Sequence, residues 1–289
     1  VGGDGSFNAV DPDNDFIQYA SLQFLNVFKS YDQGFSYNEQ IISKPASAYG
    51  GNTAAFVAPF VIAPSNTNVL YAGADTLFRS DDAGFSFYAP GNRPINADAV
   101  SLAIAVSSTD PDVVYVTTAP TDVLPSGVWR SDDGGVNMLN VSAGLPNRYP
   151  RDIDVDPRDS RIVYVAFSGF GSGHLFRSSD GGANWTDIST TLPDVPFHCI
   201  QPDIDHPDTL YAGSDLGVFV STDAGSTWDA FNQGLPDGAM VFDLKKSTAD
   251  NSLLAFTHGN GVYRVSLGAL PVGVDLTLQQ PGFQLALMG

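Results

Sequence analysis

Acidic oxygen is the most abundant reactive chemistry in this 289-residue chain, with 31 aspartates against one glutamate, Glu39. Two carboxylates can cleave a glycosidic bond when they stand about 5–5.5 Å apart for retention or about 6.5–9.5 Å for inversion. Asp75 and Asp215 are the candidates. They occupy matching contexts, Tyr71-Ala72-Gly73-Ala74-Asp75 and Tyr211-Ala212-Gly213-Ser214-Asp215. Asp11, Asp13 and Asp15 alternate along Asp11-Pro12-Asp13-Asn14-Asp15 and put oxygens on one short loop, as a calcium site requires. That loop lacks the glycine and terminal Glu of an EF-hand and coincides with a Pro turn, so ordinary turn chemistry competes with calcium. The four histidines, His174, His198, His206 and His258, show no metal-ligand spacing such as His-x-x-x-His. Gly2-Gly3-Asp4-Gly5 is followed by neither a helix nor Lys-Ser/Thr, which excludes a phosphate loop.

The elements that must position these residues are repeats. Arg177-Ser178-Ser179-Asp180-Gly181-Gly182-Ala183-Asn184-Trp185 reads as strand, tight turn, strand. The pattern Ser-x-Asp-x-Gly-x-(Ser/Thr/Asn)-aromatic occurs five times, with its aspartate at Asp32, Asp82, Asp133, Asp180 and Asp223. The steps are 50, 51, 47 and 43 residues, and Met138 is the one non-aromatic ending. A second repeat interleaves with it: Tyr19, Tyr71, Tyr115, Tyr164 and Tyr211 each sit in a short β-rich run that follows a turn, usually with Pro. Each unit therefore contains four strands, which is the pattern of a propeller blade. Six units fit, at about residues 6–47, 48–94, 95–146, 147–194, 195–236 and 237–267. The expected fold is all-β, a single β-propeller of six four-stranded blades over residues 1–267, or seven if upstream sequence supplies another.

The repeated turn resembles the Asp-box, or BNR, repeat of β-propellers. Families that carry it include sialidases, sortilin/Vps10 receptors, xyloglucan-cleaving glycosidases and many secreted bacterial propellers. The resemblance implies that Asp32, Asp82, Asp133, Asp180 and Asp223 are structural, closing the outer hairpin of each blade away from the ligand face. Sialidase activity does not follow from it: the Phe-Arg-Ile-Pro motif is absent, and the lone Glu39 leaves no Tyr-Glu nucleophile pair. Arg79, Arg130, Arg177 and Arg264, with Lys29, recur at one place in the blade and so belong to the framework. The xyloglucan-cleaving family uses two propellers facing across a cleft, whereas this chain accounts for one. Gly2-Gly3-Asp4-Gly5 also resembles a motif that opens a blade in large secreted Asp-box proteins.

Ligand recognition is expected where loops depart from the repeat. Gly169-Phe170-Gly171-Ser172-Gly173 and Val123-Leu124-Pro125-Ser126 are the longer loops between second and third strands. The candidate ligand-binding residues are Phe170, His174 and His258 in such loops, with Tyr149 and Phe197 between blades.

A net charge of −19 and a pI near 4.1 disfavour nucleic-acid and anionic-membrane partners and leave proteins or glycans. Cys199 stands alone in an apolar context, which reads as a buried small hydrophobe and excludes an intrachain disulfide. No stretch reaches the roughly 18 apolar residues of a membrane span. The chain starts at Val1 rather than Met, so a processed or truncated product is expected, with further domains of the same precursor as possible partners. Residues 268–289 fall outside the repeat; the alternation in Val274–Leu278 is the candidate closing strand, and a linker to another domain is the alternative. The expected function is a non-enzymatic binding propeller at a bacterial cell surface or outside the cell, without a cofactor unless calcium. A glycoside hydrolase using paired aspartates and a structural module of a surface assembly are the alternatives.

Overall fold

The computed structural model of the protein describes residues 3–42, 54–268 and 282–286. Among these there is no helix, and the strands form six antiparallel sheets in which each strand pairs with its neighbours in sequence. The first sheet contains β1 (Gly5–Val10), β2 (Gln18–Leu22), β3 (Asn26–Ser30) and β4 (Glu39–Ile42). The second contains β5 (Phe60–Ile62), β6 (Leu70–Gly73) and β7 (Leu77–Ser80), and its fourth place is held by a single bridge from Arg79 to Tyr88. β8 (Ser101–Val106), β9 (Val114–Thr118), β10 (Gly127–Ser131) and β11 (Leu139–Asn140) make the third. β12 (Tyr149–Val155), β13 (Val163–Ser168), β14 (Leu175–Ser178) and β15 (Thr186–Asp187) make the fourth. The fifth is β16 (Phe197–Pro202), β17 (Leu210–Ser214), β18 (Gly217–Ser221) and β19 (Asp229–Ala230). The sixth is β20 (Val241–Ser247), β21 (Ser252–Thr257), β22 (Gly261–Ser266) and β23 (Gln284–Leu285).

The expected six blades are therefore present. The predicted strand at 274–278 lies outside the described residues; the fourth strand of the last blade is instead β23, paired through Tyr263 with Leu285 and Arg264 with Gln284.

Burial follows strand position. The second strands β6, β9 and β17 are buried along their whole length, so they read as continuous rather than alternating apolar runs. The outermost strands β11 and β19 are two residues long and exposed. The five repeated tyrosines are the largest fully buried side chains, each at most 1% exposed. Burial raises the phenol of Tyr115 to about 12. Three of their hydroxyls reach the next repeat: Tyr19 Oη donates to the Ala83 carbonyl at 3.1 Å, Tyr71 Oη to that of Pro111 at 2.8 Å and Tyr115 Oη to that of Ser160 at 2.9 Å.

The chain divides into two compact units, residues 1–163 with 178–185, and residues 164–177 with 186–289. In the first, one core cluster gathers Tyr19, Val27, Phe60 and Leu70, and another gathers Tyr71, Leu77, Val114 and Val116. In the second, Cys199, Tyr211, Phe231, Val241, Leu253 and Phe283 share one cluster. Cys199 is 2% exposed, a core side chain.

The five Asp-containing turns are built alike. In the fourth, Ser178 Oγ donates to Asp180 Oδ1 and accepts from Gly182 N–H, both at 2.8 Å. The Asn184 amide donates to Asp180 Oδ1 at 2.8 Å and its side chain to Oδ2 at 2.7 Å. Asp32, Asp82, Asp133 and Asp223 hold the same bonds from the residue four positions on. These bonds hold the Asp82 carboxyl at about 2 and lower those of Asp32, Asp133 and Asp180.

The second to fifth turns also pack against the preceding blade. Gly182 has φ +91°, and a Cβ there would lie 2.7 Å from Val141. Trp185 Nε1 donates to the Val141 carbonyl at 2.7 Å, and Trp228 Nε1 to the Ile188 carbonyl at 2.7 Å. Arg130 and Lys29, framework cations, donate to the turn carbonyls of Gly181 and Ala83.

Candidate functional site

At the opposite end of the strands the pairing of first with second strand slips in several blades, among them β1 with β2 and β8 with β9, and two of these bulges lie in the second unit. The pairing of β16 with β17 slips between Phe197 and Cys199, and that of β20 with β21 slips between Val241 and Asp243. The extra residues are His198 and Phe242. A bulge re-aims the side chain it inserts, and here the two rings meet, with centroids 4.5 Å apart. His258, in the turn between β21 and β22, joins the row at 5.2 Å from Phe242. Asp215, in the turn between β17 and β18, lies 2.8 Å from His198 Nε2 through Oδ1.

These groups form a shelf. Phe242 is 40% exposed and His258 is exposed, whereas the His198 side chain is only 10% exposed. Nε2 of His198 faces the Asp215 carboxylate and Nδ1 points the other way. Nδ1 is buried, and no group among the described residues donates to it. The arrangement offers an aromatic face, a carboxylate with a second oxygen to spare, and the exposed imidazole of His258. Such a set suits polyhydroxylated ligands, whose rings stack and whose hydroxyls both donate and accept.

A second cluster supports the neighbouring loop. His174 Nε2 lies 3.2 Å from Asp194 Oδ1, which also accepts the Gly171 amide at 2.8 Å. Asp194 thereby ties the Gly169–Gly173 loop down and leaves Phe170 60% exposed.

The predicted site residues do not all reach a surface. Phe197, expected to line a loop, is 0% exposed and packs beneath His174 and Phe219 at 5.5 and 5.8 Å, so it props the loop rather than contacting a ligand. His174 is likewise buried, its amide held by Ser189 Oγ at 2.8 Å. Asp75 is 4% exposed in the first unit, in a turn whose carbonyl accepts the Ile95 amide at 2.8 Å. Asp215 pairs with His198. Tyr149 opens β12 and is 52% exposed. Asp11 Oδ1 accepts the Asp13 amide at 2.9 Å, and Asp15 accepts from Gln33 Nε2 at 2.9 Å. Asp110, Asp156 and Asp203 cap their own turns in the same manner. Among the described residues no group of three or more His, Cys, Asp or Glu is disposed to hold a metal ion.

Phe242 and the pairing of His198 with Asp215 were missed by sequence reasoning. Aligning Phe197-His198-Cys199-Ile200 with Val241-Phe242-Asp243-Leu244 would have shown the two inserted residues at one repeat position.

No protein-family pattern matches the sequence, and no curated protein does. Solved structures do match in fold. The GH74 enzyme of Niastella koreensis is 17% identical with a TM-score of 0.69, over 96% of this chain and 46% of that one. The GH74 xyloglucanase of Xanthomonas campestris is 19% identical with a TM-score of 0.58, over 72% of this chain and 36% of that one. A chain of the nidogen/laminin complex is 13% identical with a TM-score of 0.59, over 85% of this chain and 88% of that one. The chain thus spans less than half the length of the two GH74 enzymes. At these identities the likeness concerns fold alone, and it agrees with the six sheets: the chain is an all-β, six-bladed β-propeller.

Proposed function

We propose that this protein is a non-enzymatic Asp-box propeller, exported to act outside the cell, that binds a glycan on the shelf formed by His198, Asp215, Phe242 and His258. The carrying observation is the exposed Phe242 ring flanked by two histidines, with Asp215 bonded to His198. An exposed aromatic beside paired hydrogen-bonding groups is the usual composition of a sugar subsite. Asp215 is engaged by His198, an arrangement that orients a ligand's hydroxyls. The likeness to GH74 enzymes supports a carbohydrate ligand without specifying which.

A glycan array followed by titration with the best oligosaccharide tests this reading. Saturable binding that Phe242→Ala weakens at least tenfold is expected, with no release of reducing ends from plant or bacterial polysaccharides. Binding unaffected by Phe242→Ala, or exclusive capture of a protein partner, would overturn the glycan assignment; reducing ends lost in Asp215→Asn would restore the hydrolase.

A further inference from the structure

The third Asp-containing turn differs from the fourth and fifth at the aromatic position that ends the motif. Where those carry Trp185 and Trp228, it carries Met138. Trp185 and Trp228 lie across the joint to the preceding blade and donate their indole N–H to a carbonyl there. Methionine has neither the area nor the donor. At the same joint between the second and third blades, within the first unit, the structure leaves a cavity of about 170 Å³. Leu77, Pro94, Ile95, Trp129 and Met138 line it, together with Arg93. A cavity of roughly 150 Å³ admits a benzene-sized ring, so this one holds a single aromatic group.

Its charge is equally particular. In a chain of net charge −19, the arginines beside it on the repeat frame are paired: Arg79 with Asp81 and Asp112, Arg130 with Asp132. Arg93 is exposed at the cavity and makes no ion pair among the described residues. Its guanidinium is therefore available to a carboxylate brought by a ligand.

We infer that this cavity is a binding site for a small aromatic carboxylate, the ring seated against Trp129 and Met138 in the space an indole fills elsewhere in the repeat, and the carboxylate held by Arg93. The site is independent of the glycan shelf, which belongs to the other unit.

Indole-3-acetate and neutral indole are suitable probes, followed by ligand-observed NMR and calorimetry on the whole chain. A ligand this small in a preformed slot is expected to bind with a dissociation constant on the order of 1 mM. Met138→Trp should raise the melting temperature, because it fills the slot, and weaken indole-3-acetate at least tenfold. Arg93→Gln should leave indole binding unchanged while abolishing the preference for the carboxylate. The inference is overturned if the unmodified protein gives no saturable signal at roughly ten times that concentration, or if Met138→Trp folds and binds indole-3-acetate as before. Should Met138→Trp fail to fold, the unmodified protein and Arg93→Gln decide the matter alone: an equal preference for the carboxylate in both overturns it.

Discussion

The two ends of the strands obey different rules. At the Asp-containing turns, five repeats make the same bonds with Ser, Asp and Gly at fixed positions, and the aspartates accept donors from the same position, filled by Ser, Asn or Thr. At the other end, in the second unit, the bulges insert His198 in one blade and Phe242 in the next, and one imidazole nitrogen has no partner among the described residues. A residue that must be identical in every repeat is held by the needs of the scaffold. One that differs at an equivalent position is open to a ligand's needs. The contrast separates frame from site without reference to any other sequence.

The contrast is tested most severely by acid, which titrates all the turns together. Hydrogen bonds from the residue four positions on lower the carboxyls of Asp32, Asp82, Asp133 and Asp180; at Asp223 burial opposes the shift and the bonds outweigh it. A folded-state value below the unfolded 3.8 means that the stabilisation is complete above that pH and is lost as pH falls toward about 2, the value for Asp82. Circular dichroism across that range should show cooperative loss of structure, moved to higher pH in Asp82→Asn. A fold indifferent to pH down to 2 would deny these turns their role.

Next in size is a single lesion in one turn. Gly182→Val puts a β-branched residue at φ +91° with its Cβ against Val141. Left-handed strain of about 1–2 kcal/mol adds to overpacking of about 1–3 kcal/mol, and a shift of the denaturant midpoint without a change in slope would register the sum. Trp228→Phe is gentler. It keeps the ring but removes the donor to the Ile188 carbonyl, which should cost about 1–2 kcal/mol by the same measurement.

These turns were legible in the sequence for the same reason that they are strong. Ser178, Asp180, Gly182 and Asn184 bond within a span of seven residues, so local spacing encodes the whole motif. The repeated tyrosines were legible as strand markers because each lies in a short β-rich run after a turn. The bulges were not, since a bulge is a property of two strands in register and neither strand announces it alone. That is why Phe197 read as a surface residue: with His198 inserted, Phe197 belongs to the buried side and His198 takes the outer one. β23 was illegible because a two-residue strand has no period to detect, whereas 274–278 alternates visibly.

The smallest expected effect on stability is also the sharpest test of the comparison. Phe242 is a large aromatic ring, and truncating a buried one typically costs about 3–5 kcal/mol. Yet it is 40% exposed, it sits on a bulge outside the ladder, and its ring neighbours His198 and His258 are held by their own strand and turn. Asp215 keeps His198 in place through a bond that does not involve Phe242. Phe242→Ala should therefore change the unfolding free energy by no more than about 1 kcal/mol while removing the surface on which a sugar ring would stack. If chemical denaturation instead shows a loss as large as that of Gly182→Val, the shelf is part of the frame, and the division between the two ends of the strands fails at the residue chosen to exemplify it.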